Sequence, residues 1–321
     1  MGSEMCIRDR SESAICDNLS KKDKMIKIMN KQIIIYIIVS FGFSWAVALI
    51  TYLNGGFQVF GKLAILPAYA YMCGPAVGAL VCAYTYEKGR RVKALGVTGP
   101  INKYLPIAWA IALSILVIAL LISWAGPGIS PADPVQSNIA LIDQMDLSEA
   151  DKSMAMSQLE WPFMGVVLFF ASIFLGPLIN WPLMLSEELG WRGYLWDQLK
   201  TKGFWAASWI TGGLWGVWHV PIIMMGHNYP KMPVLGSLLF IGLCLLMGPV
   251  YSWIRLKSGS VWGPCLLHGT TNGAAGYFLL AQSSMEMPWK GLLGIGGFIA
   301  LGLTVLIIWV CYRKTPLTIT D

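Results

Sequence analysis

Residues 105–124 read LPIAWAIALSILVIALLISW and contain no charged side chain. A helix needs about 20 consecutive apolar residues to cross the hydrocarbon core of a membrane, and this run has that length. Seven further apolar runs lie near 32–53, 64–84, 162–185, 203–225, 234–254, 260–281 and 290–312. These runs lack the alternation of apolar and polar residues that membrane-spanning β-strands show. The sequence therefore predicts an all-α fold, a polytopic membrane helical bundle with about eight transmembrane helices.

The composition of the whole chain agrees with a lipid environment. Of its 321 residues, 56% are hydrophobic and only 12% are charged, whereas soluble domains carry about 25% charged residues. Membrane lipid is therefore an expected partner. The net charge of +6 does not indicate nucleic-acid binding, because that function needs a basic face on a soluble domain and the sequence contains no such domain.

The basic residues are unevenly distributed among the predicted loops. With eight spans both termini lie on one side of the membrane, and the segments on that side hold 19 of the 23 Lys and Arg residues. The opposite segments hold only Lys62, Lys152, Lys231 and Lys290. Since short cytosolic loops are enriched in Lys and Arg, we expect an integral, multi-pass protein of a bacterial plasma membrane with both termini in the cytosol.

The spans divide the chain into five regions, at 1–31, 32–124, 125–161, 162–281 and 282–321. The first is a polar cytosolic segment, and the second contains spans 1 to 3, which carry no recognisable chemistry. The third is an extracytoplasmic acidic loop that we interpret as a connector with a short helix, the alternative being a lid that gates substrate. The fourth contains spans 4 to 7 and the candidate chemistry, and the fifth contains the last span and a cytosolic tail.

Three formal charges interrupt the fourth span, which we expect to continue as a helix towards residue 199. The segment SEELGWRGYL at 186–195 contains Glu187, Glu188 and Arg192, and a charge at the centre of a spanning helix costs about 2.5–3.5 kcal/mol. Glu188 and Arg192 are spaced i, i+4 and can meet on one helix face. Glu187 points about 100° away from its neighbour, so we expect it to face a wet cavity. The alternative is an ordinary ion cluster at a cytosolic helix end.

Two of the three histidines also fall inside predicted spans. His219 lies in GGLWGVWHVP, and His268 lies in HGTTN with Asn272 one helical turn further on. His227 lies in a short outer loop, where we expect it to be solvated. A lone histidine in a span usually packs or bonds to a neighbouring helix. Two histidines together with a carboxylate pair indicate that several helices direct polar groups at one layer within the membrane.

Proline and glycine predict two local features of these spans. Pro182 removes a backbone hydrogen bond from the fourth helix and predicts a kink there. Gly212 and Gly216 have the G-x-x-x-G spacing that allows the backbones of two membrane helices to approach closely. We therefore expect the fifth span to pack tightly against a neighbouring helix.

Three short motifs in this region resemble those of a known family. EELGWR matches an E-E-x-x-x-R motif, WGVWH resembles an F-x-x-x-H motif, and HGTTN matches H-x-x-x-N. In order and spacing they are similar to the CAAX protease and bacteriocin-processing family of intramembrane endopeptidases (CPBP or Abi family). The resemblance covers roughly residues 160–281. One departure is that Trp215 stands where the family usually has Phe, which leaves an aromatic packing role intact but changes the shape of the pocket.

The resemblance implies a helical bundle with a cavity open to the cytosol and hydrolysis of a peptide bond by activated water. Glu187 and His219 would activate the water, and His268 and Asn272 would stabilise the tetrahedral oxyanion. These residue types suit the chemistry, because amide hydrolysis needs a base for the water and donors for the developing negative charge. The substrate would be a peptide or a membrane-anchored protein, for example a prenylated CAAX protein, a leader peptide or a bacteriocin.

The resemblance gives Glu188 and Arg192 the role of shaping and bracing the site. A metal-dependent mechanism stays open, because Glu187, His219 and His268 could supply three ligands to Zn²⁺ and leave a fourth position for water. The metal-free scheme, which we favour slightly, uses the same residues as base and donors.

Two other functions remain as alternatives at this stage. Ionisable residues within a membrane also mark ion or solute pathways, although the inverted repeat of many transporters is not evident here. A non-catalytic membrane protein of the same fold, for example a bacteriocin self-immunity protein, could keep the fold for binding. The filled motif positions favour the endopeptidase.

Overall fold

The computed structural model describes residues 31–57, 65–126, 131–143, 148–280, 291–315 and 317. Helices account for most of these residues, and no strand is assigned within the described ranges. Except for Lys31, where the first helix begins, the predicted polar segment at 1–31 lies outside the described residues.

The helices follow one another in the order α1 Lys31–Leu53, α2 Ile65–Met72, α3 Gly74–Tyr86, α4 Arg91–Ala94, α5 Tyr104–Trp124, α6 Pro134–Asp143, α7 Glu149–Leu159, α8 Met164–Lys202, α9 Phe204–Trp218, α10 Val220–Met224, α11 Pro233–Ser258, α12 Trp262–Leu280 and α13 Ile295–Tyr312. The acidic loop thus contains two helices. Ser148 caps α7 by accepting a hydrogen bond from the Asp151 backbone at 3.1 Å, as expected of a serine at a helix start.

Six helical segments among the described residues are long and apolar enough to cross a membrane: α1, α2 together with α3, α5, α8, α11 and α13. The predicted polytopic helical membrane bundle is therefore confirmed. The other two predicted spans are also helical but do not meet these criteria. The span at 203–225 is divided into α9 and the short α10, and the polar segment HGTTNG lowers the mean hydropathy of α12.

The irregular turns of α8 do not coincide with its internal proline. Pro182, where the sequence predicts a kink, lies within the α-helical stretch Gly176–Glu188. The hydrogen-bond pattern instead widens to π-helical turns at Ala171–Leu175 and Leu189–Leu195. Such turns often occur at functional sites, and the second one contains Arg192.

Helices α9 and α11 pack along each other through glycine. A Cβ atom on Gly212 would lie 2.4 Å from the Cys244 carbonyl oxygen, and one on Gly216 would lie 2.7 Å from the Ile241 Cα. Both distances are far below van der Waals contact, so these positions require glycine. The close helix contact predicted from the G-x-x-x-G spacing is present. Helix α12 packs on α8 and α5, and α13 packs on α5 and α11.

We predict that Gly212→Ala destabilises the protein, whereas Gly213→Ala does not. The added methyl group at position 212 would push α9 away from α11, and overpacking of this kind costs about 1–3 kcal/mol. At position 213 the nearest atom, Leu245 Cδ2, lies at an ordinary 3.5 Å, and alanine favours the helix by about 0.5–1 kcal/mol. Thermal unfolding of the two variants in detergent measures the difference. Equal melting temperatures would contradict the proposed role of Gly212.

Candidate active site

The two adjacent glutamates of α8 have different partners. Glu188 is fully buried, and its Oε1 atom accepts hydrogen bonds from Arg192 Nη1 at 3.1 Å and from His268 Nδ1 at 2.9 Å. The contact between Glu188 and Arg192 is the one predicted from their i, i+4 spacing. The bond from His268 was not predicted, and it connects α8 to α12.

The Arg192 side chain is enclosed by aromatic rings as well as by Glu188. Its guanidinium carbon lies 4.5 Å from the centroid of the Trp215 ring and 4.6 Å from that of Tyr251. A cation over an aromatic face is attracted by the electrons of the ring, and this attraction contributes about 2 kcal/mol or more when the cation is desolvated. The side chain is completely buried. Arg192 therefore braces the site from within the protein and is not available to a substrate.

Glu187 faces the other way and is held by Trp215, the residue that differs from the family motif. Its Oε2 atom accepts a hydrogen bond from Trp215 Nε1 at 2.8 Å. Phenylalanine has no N–H group and could not make this bond. The sequence drew attention to Trp215 as an aromatic substitute, but its role as a donor to Glu187 depends on the relative position of two helices and was missed.

His219 lies at a break between two helices. We expected a continuous span at 203–225, but α9 ends at Trp218 and Pro221, in the first turn of α10, lacks the N–H group that would continue the helix. His219 Nδ1 lies 2.8 Å from the Trp215 carbonyl oxygen. Since a carbonyl oxygen only accepts, Nδ1 carries the proton, and Nε2 of the neutral ring is an acceptor.

His268 and Asn272 lie one turn apart on α12. The His268 ring centroid is 5.1 Å from that of Trp215, and its Nδ1 donates to the carboxylate of Glu188. The Asn272 amide nitrogen lies 3.1 Å from Met184 Sδ, which is a weak acceptor. The side-chain amide of Asn272 can therefore turn towards a stronger acceptor at little cost.

The four predicted reactive residues line one cavity of about 660 Å³. Glu187, His219, His268 and Asn272 are among its lining residues, whereas Glu188 and Arg192 are not. The structure therefore brings together the side chains that the motifs single out and separates the adjacent glutamates. Most of the remaining wall is apolar or aromatic.

Other parts of the chain contribute to the cavity without having been predicted. Tyr71 and Met72 of α2 and Leu116 of α5 line it, so the second and third spans form part of the wall. His227 also lines the cavity, although we expected an ordinary loop histidine. The signal for these residues lies in the packing of distant segments, which a single sequence does not reveal.

The arrangement does not present a ready metal site. Within the described part of the chain, no three His, Cys, Asp or Glu side chains come close enough together to hold a metal ion. Glu187, His219 and His268 thus share a cavity without forming the ligand set that Zn²⁺ requires. Zinc dependence stays an open alternative, which chelation tests.

The comparisons with known proteins agree with the motifs. Residues 157–274 match the family model described as Type II CAAX prenyl endopeptidase Rce1-like, and this range contains all three motifs. This region of the chain is thus similar to the CAAX prenyl endopeptidase family, as the motifs predict. CAAX prenyl protease 2 of Methanococcus maripaludis is 35% identical over 78 residues. That alignment covers 22% of this chain and only 28% of the relative.

We predict that Arg192→Met strongly destabilises the protein and that Glu187→Gln does not. Removing one partner of a buried ion pair leaves an uncompensated charge, at a cost of about 3–5 kcal/mol. Glutamine at position 187 keeps an oxygen that accepts from Trp215 and removes a buried charge. Thermal unfolding in detergent, followed by tryptophan fluorescence, measures both effects. Similar losses of stability in the two variants would contradict the distinction between Glu188, which pairs with Arg192, and Glu187, which does not.

Proposed function

We propose that this protein is an intramembrane endopeptidase that hydrolyses a peptide bond with water activated by Glu187 and His219. The observation that carries the proposal is that these two residues share one cavity with His268 and Asn272. The match of residues 157–274 to the CAAX prenyl endopeptidase family model supports it. The substrate would be a peptide or a membrane-anchored protein, in line with the similarity to CAAX prenyl protease 2.

In the proposed reaction, a water molecule lies between the Glu187 carboxylate and His219 Nε2. Glu187 takes a proton from the water molecule while the water oxygen forms a bond to the carbonyl carbon of the substrate. The resulting tetrahedral intermediate collapses when the carbon–nitrogen bond breaks and the amine leaves with the proton held by Glu187. The products are one peptide with a new carboxylate and one with a new amine.

The oxyanion of that intermediate needs donors from the protein. The Asn272 amide can donate without any change of charge. His268 already donates Nδ1–H to Glu188, so it can donate from Nε2 only as a cation. The hydrogen bond to Glu188 holds the His268 ring in its orientation. Glu188 would therefore act through His268, although it does not line the cavity.

We predict that Glu187→Gln and His219→Asn each lower the rate of cleavage by at least about 100-fold, since general acid–base groups contribute 10²–10⁴-fold. The assay uses protein purified in detergent, a library of apolar and prenylated peptides, and mass spectrometry of the products. Glu160→Gln, which changes an exposed carboxylate by the same chemistry, is the matched control.

Cleavage that persists in Glu187→Gln would refute the proposed base. The same assay with a chelator tests the metal-dependent alternative, which loss of cleavage and its recovery with Zn²⁺ would support. If binding were detected but no peptide were cleaved, the non-catalytic binding role would be favoured.

Trp215→Phe provides a finer test, because it introduces the residue usual in the family motif and removes the N–H donor while an aromatic ring is kept. A hydrogen bond to a charged group contributes about 1.5–3 kcal/mol, and this one orients the carboxylate of Glu187. We expect kcat to fall by about tenfold or more, since each 1.4 kcal/mol corresponds to tenfold. KM should change little. An unchanged kcat would mean that Glu187 is oriented without the indole.

A further inference from the structure

A polar side chain of the cavity wall, that of Asn180, takes no part in the proposed reaction. Asn180 lines the cavity together with Glu187, and both residues lie in the regular α-helical stretch Gly176–Glu188. Seven residues correspond to nearly two full turns, so the two side chains project from the same face of α8. Since an α-helix rises about 1.5 Å per residue, Asn180 lies about 10 Å from Glu187 along the helix axis.

The side-chain amide of Asn180 is only partly used within the protein. Its Nδ2 atom donates a hydrogen bond to the Gly176 carbonyl oxygen at 2.8 Å, which is a contact within the same helix. In the part of the chain that the structure describes, the Asn180 Oδ1 atom accepts no hydrogen bond. An asparagine amide has two N–H donors and an oxygen that accepts. The Asn180 oxygen is therefore available to a molecule inside the cavity.

A close contact between α8 and α12 fixes the position of this amide. A Cβ atom on Gly273 would lie 2.5 Å from the Gly176 carbonyl carbon, so the two backbones touch at this point. Gly176 is also the residue that accepts the hydrogen bond from Asn180. Beside the contact, α12 presents Thr271 and Asn272 to the same cavity. Polar groups from both helices thus reach the cavity close to the point where the helices meet.

Much of the remaining wall is apolar. Leu116, Leu120, Ala275 and Leu292 line the cavity and pack in one hydrophobic cluster. Apolar side chains offer no hydrogen bond to the backbone of a bound peptide, and an unsatisfied backbone group is costly in an apolar surrounding. A polypeptide that lies along this wall therefore needs the few polar groups that the wall contains, and the Asn180 oxygen is one of them.

The distance between Asn180 and Glu187 relates the amide to the bond that is cleaved. An extended peptide rises about 3.3 Å per residue, so a separation of about 10 Å along α8 corresponds to about three residues of substrate. The donor that recurs at each residue of a polypeptide other than proline is the backbone N–H group. The Asn180 oxygen is thus suited to the N–H group of a residue about three positions from the bond that Glu187 attacks.

We propose that Asn180 is a specificity-determining residue, which accepts a hydrogen bond from a substrate backbone N–H group about three residues from the cleaved bond. This contact holds the bound segment extended along α8. The inference rests on the proposed endopeptidase function. It assigns to Asn180 a contact with substrate and no part in proton transfer.

Backbone N-methylation tests this hydrogen bond, because it removes one N–H group of a peptide and leaves every side chain unchanged. The assay uses the full-length protein in detergent, one apolar peptide that it cleaves, and derivatives methylated singly at each of four positions on either side of the cleaved bond. We expect methylation at one position, two to four residues from that bond, to lower kcat/KM by about tenfold, because it leaves the Asn180 oxygen without a donor. Absence of any sensitive position in this range would overturn the proposal.

The variant Asn180→Leu separates loss of the hydrogen bond from a steric effect of the methyl group. Leucine has a similar size and no acceptor, so we expect kcat/KM for the unmethylated peptide to fall by about tenfold. Methylation at the sensitive position should then lower it by less than about threefold further, because the two changes remove the same contact. Asn180→Ala gives the same comparison if leucine prevents folding. Equal effects of methylation on wild-type protein and variant at every position would overturn the proposal.

Asn54→Leu is the matched control. Asn54 also donates to the carbonyl oxygen four residues earlier, that of Ile50, at 2.7 Å. It is exposed and is not among the residues that line the cavity. We expect this variant to cleave every peptide of the series as the wild-type protein does. A change in sensitivity to methylation in Asn54→Leu would show that the effect at position 180 is not specific, and would contradict the proposal.

The same peptides separate failure of this inference from failure of the proposed function. If the wild-type protein cleaves none of the peptides in this series or in the library, the endopeptidase function is refuted. If it cleaves them and the effect of methylation does not depend on Asn180, only the role of Asn180 is refuted.

Discussion

The site depends on a positive charge that is buried without access to water. Arg192 is neutralised by Glu188 and lies between the rings of Trp215 and Tyr251. Isolated burial of this charge would cost several kcal/mol, so each of these groups must stay in place. They belong to α8, α9 and α11. The charge therefore links three helices, and the positions of the neighbouring reactive groups follow from that link.

Trp215 is the residue through which this link reaches the reactive groups. The face of its ring contacts the Arg192 guanidinium, its indole N–H donates to Glu187, and its carbonyl oxygen accepts from His219. The side chain and backbone of Trp215 thus orient three groups: the proposed base Glu187, the proposed water-binding residue His219, and the buried cation of Arg192. A smaller aromatic residue could keep the first and third contacts but not the second. This chain therefore has a polar contact at a position where the family motif has an apolar ring.

The length and charge pattern of the chain predicted the bundle well, because membrane crossing depends on simple local quantities. The run at 105–124 corresponds to α5, Tyr104–Trp124, and the spacing of Glu188 and Arg192 predicted their contact. The break at His219 was missed although Pro221 follows it, since proline is also common inside membrane helices. The π-helical turns and the indole bond to Glu187 arise from contacts between helices. A sequence read one segment at a time contains no information on those contacts.

The broken helix also explains how the first two spans contribute to the candidate site. Because α9 ends at Trp218, its last carbonyl groups need partners from elsewhere. The Trp218 carbonyl accepts hydrogen bonds from the indole of Trp45 on α1 and from the hydroxyl of Tyr71 on α2. These bonds fix the residue immediately before His219, and Tyr71 also lines the cavity. The first two spans carry no motif of their own, but they hold the backbone from which the His219 side chain projects.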